Sequence, residues 1–221
     1  MLTLVWPVAA SSLLKSAAQI GCNDARELLS LASLKVIPSV GIDQSGAFLE
    51  QGRVLAKAAG LEPRLIEADI YDLPDDVGTF DLVLVTIGVL NWMPDLGGFF
   101  RVIAGLLGPG GHLLVYETHP VMEMFDPESD TPHEPAISYF RTDPLKEEGL
   151  ISYDGVDHGS GETGYWFIHT LGQIVTSCAT AGMTITSLKE FGYSIREPEY
   201  DVYEGREAQI PMSYLLHARK M

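Results

Sequence analysis

"QIGCNDARELLSLA" spans residues 19–32. It reads as the turn that carries a buried strand into a helix. A short apolar run, "SAAQIG" (16–21), leads in and ends on Gly21. Leucines at 28, 29, 31 and 34 then fall on helical spacing, with Asn23 or Asp24 as the N-cap. Such a turn aims backbone N–H groups and the positive end of a helix dipole at a ligand. It is usually rich in glycine, which accepts left-handed dihedrals and lets a ligand approach the backbone. Here Gly21 is followed by Asn23 and Ala25, where further glycines are expected. Asparagine tolerates the left-handed region better than most residues. The cost of the Ala25 β-carbon depends on the sign of its φ.

Outward from this loop, strand-like and helix-like stretches alternate. "VIPSVGID" (36–43) is β-branched and ends in an acid, and "GAFLEQGRVLAKAAG" (46–60) is a helix stopped by Gly60. "RLIEADI" (64–70) is a strand. "FDLVLVTIGV" (80–89) is a near-continuous apolar run, the pattern of a strand covered on both faces. "LGGFFRVIAGLL" (96–107) is helical, "GPGG" (108–111) a turn, and "HLLVYET" (112–118) another buried strand. Right-handed crossovers between these strands give an open parallel sheet with helices on both faces. After Pro120 the texture changes. Residues 124–168 are rich in Pro, Gly, Asp and Tyr and read as an insertion with short hairpins at 136–141, 150–153 and 164–168. A helix (170–182), a strand (183–191), a polar aromatic loop (192–209) and a last strand (210–219) follow. That ending suits a hairpin added antiparallel at the edge of the sheet. The expectation is one α/β domain over 1–221, with a doubly wound, mostly parallel, seven-stranded sheet and an antiparallel C-terminal hairpin. The insertion and the late loop elaborate its substrate side.

Composition narrows the partners. Acidic residues outnumber basic ones 30 to 14, for a formal charge of −16. That field repels polyanions and argues against nucleic acid as the main ligand. No run approaches the roughly 20 apolar residues of a membrane helix. "MLTLVWPVAASSLLK" at the start lacks a basic region and is broken by Pro7, so it does not read as a signal peptide. Two cysteines, Cys22 and Cys178, suggest no disulfide framework and a reducing cytoplasm. The six histidines match no ligand spacing, so no metal is expected.

Ligands of open α/β sheets bind outside the carboxyl ends of the strands. The candidate residues fall there in order: the loop Gly21–Arg26, then Asp43, then Asp69, then Thr86–Gly88. Asp43 lies about 20 residues beyond Asn23, the place of an acid that accepts hydrogen bonds from ribose hydroxyls. Each signal is weak alone, and a lone acid could simply start a helix. Their order along the chain is what carries weight.

In this order the chain resembles the class I S-adenosylmethionine-dependent methyltransferases. It is similar to a bacterial branch whose first loop reads roughly "LQCNDGRELLSLA". The likeness continues through "VGIDQS" (40–45), "EADIYDLP" (67–74), "FDLVLVTIGVLNWMPDL" (80–96), "LLGPGGHLLVYETHP" (106–120) and "YWFIHTLGQIVTSCATAGMTITSLKEF" (165–191). The resemblance implies a Rossmann-like methyltransferase fold with S-adenosylmethionine as cofactor. It implies that Gly21, Cys22 and Asn23 border the methionine part. Asp43 would bind the ribose and Gln44 would lie against the adenine. Asp69 would contact the adenine amino group, with Ile70 on the ring. The Ile87 backbone, with Leu90 and Trp92, would close the pocket near the sulfonium, where an aromatic face suits a cation. Two departures stand out: Ala25 replaces the branch's glycine, and only about 15 residues precede the first strand, where the family carries covering helices.

The acceptor side is less legible. Glu117 ends the fifth strand and could bind substrate, act as base or be a satisfied carboxylate. His119 and His169 flank the same end and could face a substrate or be structural. Tyr139, Tyr165, Trp166, Tyr200 and Tyr203 could wall an acceptor pocket or pack a lid. The expected reaction moves a methyl group to the oxygen or nitrogen of a small-molecule acceptor, largely by positioning. The expected partners exclude nucleic acid and membrane and leave a homodimer open. A catalytically degenerate binding module on the same fold is the main alternative. A nicotinamide-dependent oxidoreductase is the lesser one, since it would need a fuller glycine fingerprint.

Overall fold

The computed structural model describes residues 14–148 and 163–221. The N-terminal segment and the 150–153 hairpin therefore lie outside the described residues. A seven-stranded sheet runs in the order β3-β2-β1-β4-β5-β9-β8. Its strands are β1 (Ser16–Ile20), β2 (Ile37–Asp43), β3 (Arg64–Glu67), β4 (Phe80–Val85), β5 (Leu107–Thr118), β8 (Met183–Phe191) and β9 (Ser213–Lys220). The helices are α1 (Arg26–Ser30), α2 (Gly46–Ala59), α3 (Leu96–Leu106) and α4 (Leu171–Thr180). The β1–β2, β1–β4, β2–β3 and β4–β5 pairs are parallel. The expected C-terminal hairpin is present, but only β9 opposes the rest: it pairs antiparallel with both β5 and β8. The strand order reverses between β1 and β4, which opens the crevice where ligands of such sheets bind.

Period-two alternation along the strands builds two cores, one on each face. In β4, Leu82 and Leu84 join one apolar cluster with Ala17, Leu28, Leu49, Leu114 and Tyr116. Val83 and Val85 join the other with Ile20, Ile42, Phe99, Ile103, Val115 and Leu216. This explains why the sequence of β4 is apolar without a break.

Several element ends differ from expectation, each for a local reason. The first helix begins later than Asn23 or Asp24: its N-cap is Ala25, with a left-handed backbone and no side-chain cap. Asp24 instead accepts from the Arg26 N–H at 3.3 Å, so the turn is longer than the leucine spacing suggests. Helix α2 matches expectation, with Ser45 accepting from the Phe48 N–H and left-handed Gly60 closing it. The "GPGG" stretch is not a free turn. It belongs to β5, with an irregular register against Phe80–Leu82. In the insertion, the 136–141 hairpin is absent and the chain there is bends and turns. Instead β6 (Leu145–Glu148) pairs antiparallel with β7 (Thr163–Trp166). Thr170 and Gln173 form a reciprocal capping box that starts α4.

Candidate cofactor and acceptor site

The loop after β1 is built from three consecutive alternate residues in the left-handed region: Gly21 (φ 60), Asn23 (φ 50) and Ala25 (φ 59). Two of these three turns are made without glycine. Asn23 gains a local hydrogen bond for it, its Oδ1 accepting from the Asp24 N–H at 2.7 Å. Ala25 does not; its compensation is burial, at 0% exposure against the leucines of α1. Gln19, unmarked by the sequence reading, braces the loop from below. Its Nε2 donates to Thr86 Oγ1 at 3.0 Å and its Oε1 accepts from the Leu28 N–H at 2.8 Å. One fully buried amide thus ties β1, the end of β4 and α1 together.

Asp43 stands at the end of β2 and faces this loop. Its Oδ2 accepts from the Asn23 N–H at 2.7 Å, and its Oδ1 accepts from the Ser45 N–H at 2.9 Å. Each carboxylate oxygen has a second lone-pair direction. Gln44 beside it is exposed. Asp69 is exposed, with its Oδ1 accepting from the Tyr71 N–H at 2.9 Å, and Ile70 is buried behind it. Ile87 is an apolar side chain left 45% exposed two residues past the end of β4. Leu90 is buried, and Trp92 meets the edge of Trp166 with ring centroids 5.2 Å apart. Cys22 is buried and its backbone N–H pairs with the Ile42 carbonyl; burial pushes its thiol far above the usual range, so it is no nucleophile. The site therefore brings together two carboxylates, an uncovered apolar side chain and a strained N–H-bearing loop. These groups stand at the carboxyl ends of the adjacent strands β3, β2, β1 and β4.

On the other side of the β4 loop, a small pocket is walled by Leu90, Asn91, Glu117, Glu123, His169 and Tyr214. Glu117 is 2% exposed. Its Oε2 accepts from the Gly88 N–H at 2.7 Å and its Oε1 from the Leu90 N–H at 3.1 Å. Burial pushes its carboxyl up to about 7, against the pull of those N–H groups. His119 is anchored at both nitrogens. Nδ1 accepts from the Val121 N–H at 3.1 Å, which leaves Nε2 to donate to Glu190 Oε1 at 3.0 Å. His169 Nε2 donates to the Met93 carbonyl at 2.7 Å, and its ring stacks on Phe167. Burial holds both imidazoles below their ordinary range. Among the described residues no group of three or more His, Cys, Asp or Glu could hold a metal ion. No described helix is long and apolar enough to cross a membrane.

A second cluster escaped the sequence reading. Arg196, from the late loop, donates to Glu123 Oε1 at 3.1 Å and lies 4.2 Å from the Tyr200 ring and 5.6 Å from the Trp166 ring. Trp166 Nε1 donates to the other oxygen of Glu123 at 2.9 Å. Burial alone would lower the Arg196 pKa, but Glu123, Tyr200 and Glu197 outweigh it and raise the value. The late loop, the turn after β5 and the insertion are fastened here. No local pattern announces it, because its members lie far apart in sequence. Tyr203, in contrast, is fully buried among Met122 and Met212 and is packing, not pocket wall.

Residues 18–115 match a family model described as a methyltransferase domain. Across 98–99% of its length the chain superposes on two solved S-adenosylmethionine-dependent methyltransferases. The one from Clostridium acetobutylicum has a TM-score of 0.68 at 14% identity, with 89% of that chain covered. The one from Mesorhizobium loti has 0.66 at 19%, with 97% covered. The fold is the Rossmann-like methyltransferase fold. At such identities the methyltransferase structures establish architecture only. A curated demethylmenaquinone methyltransferase from Thermus thermophilus is 40% identical over 84 residues, 37% of this chain. That match spans 36% of the relative's length.

Proposed function

We propose that the chain is an S-adenosylmethionine-dependent methyltransferase acting on the oxygen or nitrogen of a small-molecule acceptor. The observation that carries this reading is the Asp43 carboxylate, locked by the Asn23 and Ser45 N–H groups at the mouth of a loop with three left-handed residues. A carboxylate so held presents its remaining lone pairs to a pair of hydroxyls. Asp69 and Ile70 would recognise the adenine by its amino group and its ring. Ile87 and Trp92 would cover the sulfonium end. When bound, the cofactor supplies a methyl group on a positively charged sulfur, and the protein's task is chiefly to align the acceptor with it.

The acceptor would enter from the Glu117–His169 side, under the Arg196–Glu123–Trp166 cluster. Glu117 and His169 line that pocket, with the Glu117 oxygens, His169 Nε2 and both His119 nitrogens already hydrogen-bonded within the protein, so their part in the reaction is to shape the pocket wall. Arg196 is paired with Glu123 and is therefore not a free charge for a carboxylate or phosphate. A cytoplasmic setting is part of the same reading, supported by two buried, unpaired cysteines.

The test is thermal unfolding of the purified chain with S-adenosylmethionine, S-adenosylhomocysteine or NAD⁺. The first two should raise Tm in a concentration-dependent way and the third should not. A shift with NAD⁺ alone would favour a nicotinamide enzyme, and no shift with any would favour a binding module that has lost its cofactor.

A further inference from the structure

The β4 loop poses an accounting problem. Pairing with β1 and β5 ends at Val85, and the chain then turns through Thr86–Trp92, of which Thr86, Val89 and Leu90 are buried. Buried N–H groups need acceptors. The Val89 N–H reaches the Thr86 carbonyl, and Trp92 and Met93 reach the carbonyls of Val89 and Leu90. Gly88 and Leu90 turn instead to the two oxygens of Glu117, on the neighbouring strand. Thr118 and Val89 N–H groups also face that carboxylate. No cation among the described residues pairs with it. A carboxylate buried without a cation is costly, so a neutral isostere would be the cheaper choice if only packing mattered. Glutamine cannot replace it, because its amide offers one acceptor oxygen and would set an NH₂ against the second N–H.

The loop's far side points to the cofactor cleft. A β-carbon on Gly21 would lie 2.4 Å from Val89 Cγ2, so the Val89 side chain fills the space that Gly21 leaves. We propose that Glu117 is a positioning residue for the cofactor cleft, clamping the Gly88–Leu90 backbone so that Val89 seats against Gly21 and holds the first loop ready for its ligand. This rests on the reading that the Gly21–Asp43 cleft takes S-adenosylmethionine.

The ionised carboxylate is the better acceptor, so the clamp loosens as Glu117 gains a proton. The groups that face it do not supply a competing charge. Tyr214 on β9 has a buried hydroxyl with no partner among the described residues. His169 is held toward its neutral form by burial. Glu123 is paired with Arg196, and Asn91 and Thr118 are neutral. Burial pushes the Cys178 thiol on α4 up to about 12, so it stays protonated near neutral pH.

Two readouts test the clamp. In ligand-free protein, the ¹⁵N–¹H shifts of Gly88 and Leu90 should titrate together near pH 7, and the titration should vanish in Glu117→Gln. Calorimetry with S-adenosylhomocysteine should show affinity falling about fivefold or more between roughly pH 8 and pH 6. Glu117→Gln should bind more weakly and without that dependence. Val89→Ala should keep the amide titration but flatten the affinity profile, which also covers the case in which Glu117→Gln does not fold. Amides that do not titrate, or a wild-type affinity that is flat with pH, would overturn the clamp while leaving the cofactor assignment standing. Folded wild-type protein that binds no S-adenosylhomocysteine at any pH would remove the assignment and the clamp together.

Discussion

Gly21→Ala should cost the fold about 2–5 kcal/mol, from two separable sources. The left-handed backbone at φ 60 costs an alanine roughly 1–2 kcal/mol. The new β-carbon would also lie 2.4 Å from Val89 Cγ2 and 3.3 Å from Cγ1, well inside normal carbon packing. Val89 is 6% exposed, so it has to push its neighbours, and such overpacking costs about 1–3 kcal/mol. Val89→Ala alone should cost about 2 kcal/mol for the lost apolar burial. In the double variant the clash disappears and the new methyl partly refills the space. Its cost should then fall short of the sum of the single variants by about 1–3 kcal/mol. Urea unfolding followed by tryptophan fluorescence gives all three values, provided the slope with denaturant stays constant. Additive costs, or a harmless Gly21→Ala, would refute the packing of Val89 on Gly21 and with it the route from Glu117 to the cofactor loop.

Three further outcomes follow from particular residues. Ala25→Gly relieves left-handed strain of about 1–2 kcal/mol but removes a buried methyl worth about 0.8 kcal/mol and frees the unfolded chain. Stability by chemical denaturation should therefore stay within about 1 kcal/mol of wild type; a larger gain would mark Ala25 as a defect in the loop. The Glu117 carboxyl titrates near 7 in the fold, above its ordinary 4.5. Its contribution to stability is thus full below about pH 4.5 and lost as pH rises through about 7. The urea midpoint of wild type minus that of Glu117→Gln should decline across that window, and a constant difference would contradict the burial argument. His217 contacts His112 at 2.8 Å, and burial, then His112 and Arg219, lower its pKa to about 4. That pair's stability is full above about pH 6.5 and lost as pH falls toward 4. His217→Leu should make acid unfolding shallower over that range, as read by circular dichroism, and an unchanged acid limb would refute it.

Local chemistry wrote much of this fold into the sequence. The unbroken apolar run of β4, Gly60 after α2, and the stretch 183–191 each carry their own signal, and the strands stand where those signals put them. The place of Asp43 at the end of β2, against the first loop, was legible because its spacing from that loop is a chain-length property. What failed were the features that depend on distant partners. Residues 86–89 look like more strand, yet β4 stops at Val85, because Glu117 takes the N–H groups of Gly88 and Leu90 out of the ladder. "GPGG" looks like a turn before the strand, yet it lies inside β5 as an irregularity, because Leu107 and His112 on either side of it pair with Phe80 and Leu82 of β4. The helix start looked like Asn23 or Asp24, because nothing local says that Ala25 adopts φ 59. Glu117 itself was visible only as an acid at a strand end. Its partners fix its work, and they lie nearly 30 residues away. The Arg196–Glu123–Trp166 cluster is invisible for the same reason.

The most direct measurement is calorimetric titration of wild-type protein and Asp43→Ala with S-adenosylhomocysteine, side by side at neutral pH. Wild type should bind in the micromolar range, and the variant should lose about 1–3 kcal/mol, the scale of a lost charge-assisted hydrogen bond, with its circular dichroism unchanged. Equal affinities in two folded proteins would contradict the placement of the ribose at Asp43. Absence of binding by folded wild type at millimolar ligand would contradict the methyltransferase reading itself.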